Sequence, residues 1–141
     1  MRAVLDSGVF VRALINPKGP WGRLLSDHAD EYAIVLSPAM VWEVLDALHV
    51  PELRERFPRI AKLPRVDWLL ETFEEAEVVE PRKRLEVCRD PSDDKLFECA
   101  VAGRAGYIVS EDEDVLAVGE YEGVRTLTAG EFLALVDKGG R

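Results

Sequence analysis

The chain has 141 residues, 48% of them hydrophobic and 32% charged, with a formal net charge of −9 and a pI of about 4.8. That length and balance predict one folded domain over residues 1–141 and exclude a disordered or low-complexity chain. The acidity argues against a dedicated duplex-DNA binder, which carries a basic footprint. Two cysteines eleven residues apart and two histidines form no zinc-ligand cluster and no disulfide framework. No apolar run reaches the roughly 18 residues of a membrane span. The expectation is a cytoplasmic protein with no membrane partner.

In chain order, Ala3 to Leu5 reads as a strand and Ser7 to Ile15 as a helix. Asp6 lies between them, either as an N-cap or as a functional carboxylate at a strand end. A second helix is expected from Trp21 to Ala29 and a second strand from Tyr32 to Leu36. Ser37-Pro38 then opens a helix to Val50, with Val41, Val44, Leu45 and Leu48 on one stripe. Glu43 falls about 150° from that stripe, which by itself reads as a solvated face. Helices are expected at Pro51 to Phe57 and Val66 to Glu75, and a strand at Val78-Val79.

The segment CRDPSDDKLFECA opens a helix from Pro91 to Arg104. Asp90 reads as its cap and Asp93 as the capping partner, which leaves Asp94 without a structural duty. Tyr107 to Val109 is a strand that runs into VSEDEDV. Ser110 and Glu113 fit a capping box for a helix from Glu111 to Val118, and Asp112 and Asp114 are left over. Val124 to Leu127 is the last strand. Thr128 and Glu131 form a capping box for the helix Ala129 to Val136.

Strands alternating with helices predict an α/β fold, a largely parallel sheet with helices on both faces. Ligand sites in such sheets lie beyond the carboxyl ends of the strands. Three strand ends carry aspartates, and carboxylates drawn into one pocket need a cation between them. An oxygen-only ligand set selects Mg²⁺ or Mn²⁺, which serve phosphoryl chemistry.

With these residues in order, the sequence resembles the PIN domain ribonucleases, most closely the prokaryotic branch that includes toxins of toxin–antitoxin pairs. VLDSGVFVRAL resembles the family's opening strand, aspartate and helix. LSPAMVWEVLDAL resembles its serine and glutamate-bearing helix, and CRDPSDDKLFECAVAGRAGYIVSEDEDVL its aspartate-led helix, strand and acidic ending. TLTAGEFLAL resembles its closing segment. The resemblance implies a three-layer α/β/α sandwich with a short, mostly parallel central sheet. It implies Asp6, Glu43, Asp94 and Asp112 as the catalytic quartet, and Asp6, Asp94, Asp112 and Asp114 as ligands of Mg²⁺ or Mn²⁺. Ser110 becomes an auxiliary hydroxyl. The implied activity is metal-dependent endonucleolysis of single-stranded or structured RNA, with an antitoxin and a second copy as partners. Asp6-Ser7-Gly8 departs from the family's usual asparagine at the third position. A catalytically weak module that binds RNA or a protein is therefore the alternative. A phosphotransfer receiver would want an acid pair after the first strand, and a HAD-type phosphatase Asp-x-Asp; the chain offers neither.

Two stretches are net basic. Pro51 to Arg65 carries Arg54, Arg56 and Arg59, and Pro81 to Arg89 carries Arg82, Lys83 and Arg84. Together they are read as an RNA-backbone clamp. Trp21, Trp42 and Trp68 are read as packing residues.

Overall fold

The computed structural model describes residues 1–49, 51–56 and 63–139, with side chains of residues 52–54 and 63–66 outside the description. Six strands form one sheet in the order β3-β2-β1-β4-β6-β5. The first is β1 (Arg2–Leu5), followed by α1 (Ser7–Ile15) and α2 (Pro20–Leu25). Next come β2 (Ala33–Leu36), α3 (Pro38–Ala47), α4 (Pro51–Arg56), α5 (Leu63–Glu75) and β3 (Glu77–Val78). A 3₁₀ turn at Pro91–Asp93 leads into α6 (Asp94–Ala102) and β4 (Tyr107–Val109). The chain ends with α7 (Glu113–Leu116), β5 (Glu120–Tyr121), β6 (Val124–Leu127) and α8 (Ala129–Asp137).

All pairings are parallel except that of β5 with β6. The expected α/β architecture is therefore present, with one antiparallel edge strand. The pattern of apolar residues missed β5, since two residues around Gly119 and Gly123 offer no alternation to read. Both glycines have positive φ, 72° and 86°, which lets the chain reverse at this edge.

The sheet is sandwiched between helical layers. On one side α6 lies against β1, β2, β4 and β6. Its Leu96, Phe97, Cys99 and Ala100 are buried, the spacing of one apolar helix face. Gly103 ends α6 where a Cβ would come within 2.4 Å of Val35 Cγ1, so the small residue permits the close approach. On the other side α1 packs against α2 and α3, and α2 against α8. Phe10 of α1 meets Phe73 of α5 edge-on at 5.4 Å. Tyr32 and Tyr107 both lean on Phe132 of α8.

Ser37 caps α3 and Thr128 and Glu131 close the capping box of α8, as the sequence predicts. Several helices are shorter than expected. α2 stops at Leu25, α3 at Ala47 and α7 at Leu116. The helix expected from Pro91 is 3₁₀ up to Asp93 and α-helical only from Asp94. Among the described residues no helix is long and apolar enough to cross a membrane.

Candidate active site

β1 lies between β2 and β4, so the carboxyl ends of β1 and β4 meet at the point where the strand order reverses. Asp6 follows β1 there and Ser110 follows β4. Asp6 occupies the N-cap position of α1, yet its side chain makes no capping bond. Instead Asp6 Oδ2 accepts 2.7 Å from Ser110 Oγ. Burial raises its pKa, as does the charge of Glu43, while the hydrogen bond from Ser110 opposes the rise. The two readings of Asp6 left open by sequence thus resolve against the cap.

Ser7 links two acids. Its Oγ lies 3.4 Å from Asp6 Oδ1 and donates 2.6 Å to Glu43 Oε1. Glu43 also pairs with Lys95 Nζ, and Lys95 donates 2.9 Å to the carbonyl of Ser92. The helical-wheel reading of Glu43 as a solvated residue does not hold. It is half-buried between α1 and α6, and its neighbour Trp42 is the exposed one, at 65%. Trp42 therefore corrects the expectation that all three tryptophans pack. Trp68 packs against the core, and Trp21 Nε1 donates 3.1 Å to Glu111 Oε1.

VSEDEDV is also used differently from its capping pattern. Asp112, not Ser110, caps α7: its carboxylate accepts 2.8 Å from the Asp114 N–H. Ser110 is fully buried, donates to Asp6 and accepts 3.0 Å from the Asp112 N–H. Glu111 turns away to bind Trp21 and the Ala129 N–H, which ties α2 to α8.

Adjacent aspartates exchange the roles expected of them. Asp94 is buried, and its Oδ1 accepts 3.0 Å from the Val87 N–H and 2.7 Å from the Cys88 N–H. Asp93 makes no capping bond. Its Oδ2 is buried with no hydrogen-bond partner. Burial, then Asp112, Asp90 and Asp6, push its pKa up to about 6. Carboxylate oxygens of Asp93, Asp112 and Asp114 lie within 4.8 Å of one another. The structure thus brings Asp112 and Asp114 together with Asp93, while Asp94 anchors a loop. The sequence hid this because a 3₁₀ start rotates Asp93 relative to an α-helical first turn.

The residues fit a hard divalent cation. All donors are oxygens, three converge, and a buried carboxylate oxygen without a donor is the group that a cation satisfies. Asp6 stands close enough to Asp93 for its charge to be felt there.

Of the basic residues, Arg82, Lys83 and Arg84 are exposed in the loop after β3. That loop is held to α6 by Asp94 and by Glu98, whose Oε2 accepts 2.9 Å from the Leu85 N–H. Arg56 is exposed at the end of α4. The Arg54 side chain and all of Arg59 lie outside the described residues.

The chain is 29% identical over 120 residues to Uncharacterized protein MJ1680 of Methanocaldococcus jannaschii, an alignment covering 84% of this chain and 75% of that protein. Its fold is similar to the crystal structure of PAE2754 from Pyrobaculum aerophilum, with a TM-score of 0.62 at 16% identity, over 98% of this chain and 90% of that one. A PIN domain family model matches residues 2–114, which hold every acid of the site, and the chain belongs to the PIN domain family.

Proposed function

We propose that the protein is a Mg²⁺- or Mn²⁺-dependent endoribonuclease. PIN domains are generally nucleases that use divalent metals. The observation that carries the reading is the convergence of Asp93, Asp112 and Asp114 with an unpartnered, buried Asp93 oxygen. When bound, the cation supplies a polarised phosphate and a water of lowered pKa. Asp93, Asp112 and Asp114 would hold it. Asp6, held by Ser110 and raised in pKa by burial, would accept a proton or add a ligand oxygen. Glu43 is oriented by Ser7 and Lys95.

Ser7 also answers the departure at Gly8. A hydroxyl one residue earlier lies against Asp6 and donates to Glu43, so Glu43 is oriented without a side chain at position 8. RNA as substrate, the toxin role, an antitoxin partner and a homodimer are supported by the sequence resemblance. Arg82, Lys83 and Arg84 support the RNA reading further, as exposed cations on the loop that Asp94 and Glu98 tie to α6.

The test is cleavage of single-stranded RNA with Mn²⁺ or Mg²⁺ by wild type, Asp6→Asn and Asp112→Asn. The expected outcome is a fall of 10²-fold or more in kcat for both variants, in the range of lost metal or acid–base catalysis. Equal cleavage by all three sinks the reading.

A further inference from the structure

An open groove of about 480 Å³ leads away from the acid cluster. Asp114 is common to both. The rest of its lining is Glu86, Val87, Arg89, Ala117, Val118 and Tyr121. Its size falls in the range of small-molecule sites, and its lining sets the apolar Val87, Ala117 and Val118 among the polar Glu86, Arg89, Asp114 and Tyr121. Val87, Ala117 and Val118 offer apolar surface to a flat ring. Tyr121 is half-buried and held edge-on against Phe97 at 6.0 Å, so its ring is fixed before any ligand arrives. Arg89 Nη2 donates 2.8 Å to Asp114 Oδ1, with 82% of the Arg89 side chain exposed. A surface pair of this kind is weak and readily exchanged. Exposed Glu86 can accept from a base amine.

We propose that this groove is a nucleotide subsite, which takes one base of single-stranded RNA next to the scissile phosphate. The proposal rests on the nuclease reading and deepens it. The charges decide what part of the nucleotide enters. Glu86 disfavours a free anion inside the groove, and Val87, Ala117 and Val118 face the uncharged base, while Arg89 at the exposed edge meets the adjoining phosphate. Stacking on a fixed aromatic ring is tolerant of sequence and is the usual way in which single strands are held.

The test is anisotropy of a short fluorescein-labelled single-stranded RNA in EDTA, where no cleavage occurs. Ala117→Trp fills the groove from an exposed position, and Arg89→Ala removes its cation. Lys18→Ala is the charge-matched control on an exposed residue outside the lining of the groove. Each groove variant is expected to weaken binding about tenfold, the scale of one lost base–aromatic stack. Lys18→Ala is expected to bind as wild type, and all melting temperatures to stay together. Should Ala117→Trp melt early, Arg89→Ala against Lys18→Ala decides. Unchanged binding by the folded groove variants, with wild type still binding and cleaving, overturns the subsite alone. Wild type that neither binds nor cleaves RNA overturns the nuclease reading with it.

Discussion

At position 93 one carboxylate oxygen is buried without a donor, and burial, then three neighbouring acids, push the pKa up to about 6. An unfolded aspartate titrates near 3.9. The folded value is the higher one, so the folded state favours the proton more than the unfolded state does. Stability from this group is therefore full below about pH 4 and is lost as the pH rises through about 6. Without metal, Asp93→Asn should melt close to wild type at pH 4 and above it at pH 7. Added Mn²⁺ should reverse the order at pH 7, because wild type then gains a ligand. Thermal melts in EDTA and in Mn²⁺ at both pH values check this, and a constant difference between the two proteins would rule it out. Position 94 uses its carboxylate to hold a loop, and the two neighbours show that residue type and spacing do not assign a role.

Among the elements, the loop after β3 depends on α6. Two backbone donors, Val87 and Cys88, end on one Asp94 oxygen, and Leu85 ends on Glu98. These bonds hold Arg89 near the acids, where it pairs with Asp114, while Arg82 and Lys83 lie toward the far end of α6, beside Val101 and Ala102. Asp94→Ala leaves part-buried N–H groups unpaired, at a cost of about 1–3 kcal/mol for such a group. Urea denaturation should show that loss of stability, and weaker RNA binding should accompany it as the basic loop comes free. Retained stability in Asp94→Ala would mean that the loop finds other acceptors. The helix caps were legible at this scale where the signal is local. Ser37-Pro38 and Thr128-x-x-Glu131 satisfy donors within the same turn. Ser110-x-x-Glu113 has the same spacing and fails, because Ser110 is drawn to Asp6 across the sheet.

Across the whole molecule the acids converge because β1 and β4 are neighbours in register, with Leu5 opposite Val109. That register puts Asp6 beside Ser110, although 104 residues separate them in the chain. The packing of α6 on the sheet then sets the distance from Asp93 to Asp112. Phe97, fully buried in α6, is central to that packing. Phe97→Ala should cost about 3–5 kcal/mol, read as a fall in melting temperature. A change below about 1 kcal/mol would show that the core collapses around the cavity.

Alternating apolar runs determined the α/β order of strands and helices, and four motifs in sequence determined the family. Both signals are local, because burial repeats with the period of the element that is buried. The acids at 6, 112 and 114 were visible for the same reason, as they follow strands directly. Only the tertiary structure decided which of Asp93 and Asp94 joins them, that Glu43 turns inward while Trp42 stays exposed, and that Ser110 serves Asp6 rather than a helix. Each of those choices is made by a partner distant in the chain, through a hydrogen bond or a buried face that no spacing along the sequence encodes.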